Sequence, residues 1–319
     1  MDGQVLHRWS KHFNDIWPER EIWDEKHQRN EPRGQLAGRR GEEDSRMTQD
    51  LHRRSRETWV VSDPRRHGRA VRTMFARIVP VYDFMNHFLS LNRDRAWRRD
   101  LVRCIDTNAT SVLDLCTGSG DLALDCAEAG KGRLILATDF CPEMLLLASR
   151  KIGRLSLDNG EAMADSPDRP ASRIKLSAAD VLDLPFPAAV FDAVTVGFGV
   201  RNLADIRRGL REVLRVLRPG GQLLILDFFR ADPNARENHR GPPGGVRWLL
   251  HTVLPFFGRL AGRNSAAYAY LCDSMDEFLT PTQLTEVMRE VGFVDIFVRR
   301  QTLGIAHLIG GRLAGEMPT

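Results

Sequence analysis

Between residues 111 and 229 the chain alternates short, almost wholly apolar runs with segments of helical periodicity, a pattern few folds accept. The apolar runs are SVLDLCTG (111–118), RLILATDF (133–140), RIKLSAAD (173–180), FDAVTVGFG (191–199) and QLLILDFF (222–229). Between them, DLALDCAEAG (121–130) and PEMLLLASRKIGRL (142–155), with Pro142 near its first turn, repeat at helical spacing. ADIRRGLREVLRVL (204–217) places apolar residues at 206, 210, 213, 214 and 217 and is closed by Arg218-Pro219-Gly220-Gly221. Strands that are apolar on both faces belong in a parallel sheet covered by helices on both sides. LDNGEAMADSPDRPAS (157–172) reads as a surface loop inserted before the third strand. Beyond 230 follow a Gly/Pro-rich connector, an apolar helix in VRWLLHTVLPFFGRLAG (246–262), a helix in PTQLTEVMREVG (281–292) and a terminal β-hairpin, FVDIFVRRQTLGIAHLIGG. No internal repeat interrupts this order. The expected fold is one α/β domain with a Rossmann-like, mostly parallel sheet, helices on both faces and an antiparallel C-terminal hairpin strand.

Residues 1–66 have a different character, rich in Arg, Glu, Asp and His with few aliphatics. They bury too little apolar surface to offset their ordering entropy, so they read as a charged, disordered extension to the domain at 67–319. Their acidic content argues against a transit peptide, and Met47 is an alternative start. A formal charge of +4 is too small to argue for nucleic acid, though it suits peripheral contact with an anionic membrane. The five cysteines form no C-x-x-C pair and the nine histidines no ligand spacing. That implies a reducing compartment and no metal. No apolar stretch is long enough to span a bilayer or follows Met1 as a signal peptide would, so the expected location is cytoplasmic.

The chemistry gathers at the carboxyl ends of the strands. The first ends in Asp114-Leu-Cys-Thr117-Gly118-Ser119-Gly120-Asp121, a tight glycine turn that lets backbone approach a ligand and aims a helix N-terminus at it. Asp139 closes the second strand 19 residues after Gly120, where an acid can accept from a ribose diol, and Asp180 closes the third. A turn with helix-capping aspartates would explain each residue singly. A dinucleotide dehydrogenase also fits, because Gly118-x-Gly120-x-x-Ala123 matches G-x-G-x-x-A. The acid-rich turn and the Asp180-x-x-x-Leu184-Pro185-Phe186 loop suit S-adenosylmethionine better. That ligand has no pyrophosphate, and its sulfonium and amino group are welcomed by Asp114 and Asp121.

More particular motifs flank this turn: Tyr82-Asp83-x-Met85-Asn86-x-x-Leu89-Ser90 with Trp97, DLPFP (183–187), FGVRN (198–202), RVLRPGG (215–221) and Tyr268-x-Tyr270-Leu271. Together with VLDLCTGSGD they make residues 70–312 resemble the ubiquinone/menaquinone biosynthesis C-methyltransferases. The resemblance implies a class I methyltransferase fold at 67–319 and methyl transfer from S-adenosylmethionine to a ring carbon of a polyprenylated quinol. The acceptor would be demethylmenaquinol or a methoxy-benzoquinol precursor of ubiquinone. It further implies that Asp114, Thr117, Gly118, Ser119, Gly120, Asp139, Phe140, Asp180, Val181 and Gly197 surround the methyl donor. The chain departs from the family pattern at Ser119 (usually Thr), Gly197 (usually Ser), Asp180-Val181 (usually Asn-Ala), Asp94 (usually His) and Asp227-Phe228-Phe229 (usually E-x-S). These departures bear on the acceptor more than on the reaction. Another small-molecule acceptor and a non-catalytic scaffold are the alternatives.

Ring methylation needs electron density pushed from a hydroxyl oxygen, and free phenolic hydroxyls titrate near 10. Arg201, always protonated, is expected to stabilise developing quinolate charge, and Asn202 to hold a water or the second oxygen. Asn202 also has the character of an N-cap for the next helix, with Asp205 three residues on. The resemblance also implies that Tyr82, Asp83 and Asn86 cover the substrate from a helix. The apolar helix at 246–262 is expected to hold the prenyl tail or touch the membrane, with a dimer face or an ordinary core helix as the alternatives. The resemblance leaves a homodimer or a quinone-biosynthesis complex open as partners.

Overall fold

The computed structural model describes residues 63–79, 82–83, 90, 92–158, 170–232, 235–243, 274 and 277–315. The extension up to residue 62, the apolar helix at 246–262, the Tyr268/Tyr270/Leu271 motif and most of the 157–172 loop lie outside the described residues.

Seven strands form one sheet in the order β3-β2-β1-β4-β5-β7-β6. They are β1 (Ser111–Leu115), β2 (Leu134–Asp139), β3 (Ile174–Ala178), β4 (Phe191–Gly197), β5 (Leu217–Asp227), β6 (Phe293–Gln301) and β7 (Ala306–Leu313). Strands β1 to β5 pair with one another in parallel, and β7 runs antiparallel to both β5 and β6. The terminal hairpin and the mostly parallel sheet are therefore as expected. The chain winds outward from β1 to β3, then returns to β4 on the other side of β1. That reversal is the switch point where open α/β sheets bind ligands, beyond the carboxyl ends of β1 and β4.

The helices among the described residues are α1 (Pro64–Ile78), α2 (Asp94–Cys104), α3 (Asp121–Glu128), α4 (Pro142–Asp158), α5 (Ile206–Val216) and α6 (Pro281–Val291). Alternate strand residues divide the core. Val112, Ala193, Leu224 and Leu226 pack with Trp97, Leu101 and Leu122 of α2 and α3. Leu113, Val194, Leu223 and Ile225 pack with Ile206, Leu210 and Val213 of α5 and Leu284 and Met288 of α6. Both faces are thus buried, which is why the strands read as continuous apolar runs rather than alternating ones.

Three local features differ from the sequence reading. Asp63 caps α1, accepting from the Arg66 amide at 3.0 Å with Pro64 in the first turn, so the helix starts three residues inside the expected extension. Leu217 is not the last residue of α5 but the first of β5: it is extended and pairs with Phe191. The Arg-Pro-Gly-Gly that follows reads as a stop signal yet lies within the strand, where the pairing with β4 shifts register between Phe191 and Ala193. Finally, the N-cap of α5 is Asp205, which accepts from the Arg208 amide at 2.9 Å, and not Asn202. Asn202 ends a separate 3-10 turn, Val200–Asn202.

Among the described residues, no helix is long and apolar enough to cross a membrane, and no cluster of His, Cys, Asp and Glu could hold a metal ion.

Candidate active site

The glycine turn after β1 is braced from below. Asp114 is 0 % exposed, and its carboxylate accepts from the Thr117 hydroxyl at 2.6 Å and the Thr195 hydroxyl at 2.7 Å. Burial pushes its pKa up to about 6, against the pull of the two hydroxyls. Asp114 therefore ties β1 to β4 and to the turn, and it lines neither of the cavities described next. Asp139, at the end of β2, accepts from the Gly118 amide and from the Cys141 amide, each at 2.9 Å. Burial raises it to about 6 as well. Gly118 has φ +56, and a Cβ there would meet the Tyr82 hydroxyl at 3.0 Å, so both its conformation and its space call for glycine. Gly120 caps α3 from the left-handed region and aims the helix N-terminus back at the turn.

A first cavity opens along this edge, with Gly118, Asp139, Phe140, Asp180, Val181 and Asn202 in its wall. Asp180 accepts from the Leu182 amide at 2.9 Å, which curls the loop so that Val181 is buried against the sheet. The N-terminal helix roofs this cavity with His67, Gly68 and Phe75. His67 is buried, and its Nε2 donates to the Asn202 carbonyl at 3.1 Å, joining α1 to the FGVRN turn. The carbonyl can only accept, so this bond places a proton on Nε2. His67 was not singled out in the sequence because it borders the charged segment and has no motif around it.

A second cavity adjoins the first, and Tyr82 and Phe198 line both. One wall is aromatic. Phe198 stacks on Phe228 with centroids 5.0 Å apart, and Trp97 meets them at 6.4 and 6.2 Å. Phe198 has φ +59, a strained conformation for a phenylalanine that its amide bond to the Leu226 carbonyl helps to hold. Thr117, Ser119, Asp121 and Gly197 form the floor. The remaining wall is polar: Ser90 with the charged pair Asp94 and Arg98. Arg98 donates to Asp94 at 2.6 Å and to Asp125 at 2.5 Å, and its third nitrogen lies 3.5 Å from Asp121. Burial opposes its charge, but the carboxylates of Asp121, Asp125 and Asp94 together hold its pKa above the ordinary value. Lys151 of α4 bridges Asp83 (2.8 Å) and Asp121, with the Ser119 hydroxyl at 3.3 Å. Arg98 and Lys151 look like solvated helix cations in the sequence, and only their three-dimensional neighbours reveal otherwise.

The FGVRN turn sits at the end of β4. Gly199 packs so tightly that a Cβ would fall 2.4 Å from that of Cys116. Arg201 is 7 % exposed and lines neither cavity. Its Nη1 donates to Asp227 at 2.5 Å and to the Phe198 carbonyl at 2.9 Å, and its guanidinium lies 5.5 Å above the Phe228 ring. The structure thus brings Thr117, Gly118, Ser119, Asp139, Phe140, Asp180, Val181, Gly197, Asn202 and Tyr82 to the two cavities. Asp83 is tethered beside them by Lys151, and Asn86 is outside the described residues.

The residues present fit S-adenosylmethionine. Asp139 is an acceptor beside a glycine turn for a ribose diol, Phe140 and Val181 are apolar faces for a flat base, and Asp180 is an acceptor for an exocyclic amine. Asp121 supplies negative charge for a sulfonium or ammonium group.

The sequence profile of the ubiE/COQ5 methyltransferase family matches residues 61–311. The demethylmenaquinone methyltransferase of Deinococcus radiodurans is 40 % identical over 250 residues, 78 % of this chain and 94 % of that protein. The ubiquinone/menaquinone biosynthesis C-methyltransferase UbiE of Geobacter sulfurreducens is 39 % identical over 246 residues, 76 % of this chain and 88 % of that protein. Among solved structures, the [4+2]-cyclase SpnF matches with a TM-score of 0.52 at 17 % identity, covering 77 % of this chain and 96 % of that one. That last likeness is one of fold, and it spans a different chemistry.

Proposed function

The chain belongs to the ubiE/COQ5 methyltransferase family, and from that premise we propose that it transfers a methyl group from S-adenosylmethionine to a ring carbon of a polyprenylated quinol. The family makes it an S-adenosylmethionine-dependent methyltransferase; the acceptor is our reading. One observation carries it. The cavity lined by the glycine turn and Asp139 adjoins a second one walled by Phe198 and Phe228, so a nucleoside and a flat ring have adjoining places.

When bound, S-adenosylmethionine supplies an electrophilic methyl group. Thr117, Gly118, Ser119, Asp139, Phe140, Asp180 and Val181 would hold and orient it, and Gly197 lines the second cavity. Phe198 and Phe228 hold the acceptor ring flat, which fixes its carbon for attack and keeps water out. Tyr82 lies over Gly118 and lines both cavities. Arg201 acts at one remove: it holds Phe198 directly and Phe228 through Asp227, while Asn202 faces the cavity and anchors the roof through His67. The names of the relatives favour demethylmenaquinol or a methoxy-benzoquinol as acceptor. The prenyl tail of either would bring the enzyme to the inner face of a membrane as a peripheral protein.

The test is direct. Purified protein with S-adenosylmethionine and a reduced demethylmenaquinone should yield a product heavier by one methylene, with the new methyl on the ring by mass fragmentation. A protein that binds S-adenosylmethionine and methylates no quinol would overturn the reading.

A further inference from the structure

Resting on that reading, we infer that Asp94 is the group that takes up the proton lost by the quinol hydroxyl. Arg201 is turned into the protein by Asp227 and lines neither cavity, so the acceptor has to come from another wall of the ring-binding cavity. Two carboxylates reach it. Asp121 lies on the floor with the glycine turn and is shared by two cations, Lys151 and Arg98. Asp94 lies on the wall carried by α2. Asp94 and Trp97 are three residues apart on that helix and share a face, and Trp97 packs edge-on against Phe228 and tilted against Phe198. The carboxylate is therefore held beside the aromatic pair that receives the ring.

Asp94 is also built to hold one geometry. It is 1 % exposed, accepts from the Ser90 hydroxyl at 2.6 Å and from Arg98 at 2.6 Å, and Ser90 lines the same cavity. A quinol hydroxyl can pass its proton to Ser90 while Ser90 passes its own to Asp94, or meet Asp94 directly. A basicity near the phenolic value of about 10 is not required. The ring carbon's electron pair takes the methyl as the carbon–sulfur pair stays with sulfur, and the hydroxyl proton becomes strongly acidic as that charge leaves the ring. The methylated ring carbon then gives up its own hydrogen as a proton to water, and the proton held by Asp94 returns to the ring oxygen to restore the hydroxyl, so one proton is released per methyl transferred. A weak, fixed carboxylate is suited to that moment.

Three substitutions and two readouts test this. Asp94→Asn should lower kcat on the quinol by about 100-fold or more and leave calorimetric affinity for S-adenosylmethionine within twofold. Asp94→His, which keeps a proton acceptor, should recover at least a tenth of wild-type turnover, with the acid limb of its pH profile moved toward the imidazole value of about 6.5. Ser90→Ala should fall between wild type and Asp94→Asn. The second readout needs no turnover: a nitrophenol bound in the ring cavity should ionise at lower pH in Asp94→Asn than in wild type, because a neighbouring carboxylate disfavours the phenolate. Asp94→Asn with kcat within threefold of wild type, or Asp94→His as inactive as Asp94→Asn while both bind S-adenosylmethionine, would overturn the assignment. A wild type inactive on every quinol would instead remove the acceptor reading and this inference with it.

Discussion

Arg201 and Asp227 form an ion pair inside the protein, the guanidinium 2.5 Å from a carboxylate that is 0 % exposed. The same carboxylate accepts from the Phe228 amide at 2.8 Å and from the Arg201 amide at 3.3 Å. Two residues at the ends of neighbouring strands thereby fix both aromatic rings of the second cavity's wall. Breaking one partner of a buried pair leaves an uncompensated charge, at a cost of about 3–5 kcal/mol. Arg201→Ala should lose that much stability in urea unfolding, and Arg201→Met/Asp227→Leu should regain most of it. A double-mutant coupling near zero would show that the pair does not act as a unit.

Gly118→Ala should weaken S-adenosylmethionine binding without unfolding the domain. The new Cβ adds a left-handed strain of about 1–2 kcal/mol and presses the Tyr82 hydroxyl at 3.0 Å. Calorimetric titration should give an affinity reduced about tenfold or more, since about 1.4 kcal/mol is a factor of ten. An unchanged affinity would remove this turn from the binding site.

Phe228→Ala should separate the two ligands. It deletes the ring stacked on Phe198 and beneath Arg201, on the acceptor wall only. KM for the quinol should rise and kcat fall, while affinity for S-adenosylmethionine stays within twofold. Equal losses for both ligands would indicate collapse of the whole edge.

The pH dependence of stability should carry two opposite signatures. Asp114 is raised by burial from 3.8 to about 6, so the folded state holds a proton that the unfolded state releases. Its contribution is complete below pH 3.8 and is lost as pH rises through about 6. Asp139 has the same sign. His307 is lowered, chiefly by burial, from 6.5 to about 4, so its contribution is complete above pH 6.5 and lost as pH falls through about 4. Asp114→Asn should gain on wild type by about 2 kcal/mol between pH 4 and 7, read from unfolding free energies. A parallel pair of profiles would be the contrary result.

How much of this was legible in the sequence follows from what each residue needed. The strands were, because burial on both faces leaves an unbroken apolar run, as in SVLDL and QLLILD. The glycine turn, Asp139 and Asp180 were, because a switch point puts the strand ends together whatever fills them. Leu217 was not, because Pro-Gly-Gly signals a stop even where a strand can bulge around it. Arg98, Lys151 and His67 were not, because a polar helix side chain reads as solvated until the carboxylates or carbonyls around it are known. Arg201 was legible as special and illegible in direction: nothing in FGVRN says that the side chain turns inward to Asp227, 26 residues away.

The His67 bond to Asn202 has a bearing on handling the protein. The helix that carries His67 begins at Pro64, directly after its cap Asp63. That cap therefore governs the first turn of the helix that roofs the first cavity. A fusion, tag or clip placed at or after Asp63 would disturb that cap and act on ligand residence time even though it touches no ligand. Work on shortened forms should judge them by how slowly S-adenosylmethionine leaves, because melting temperature reports the sheet and would miss a loosened roof.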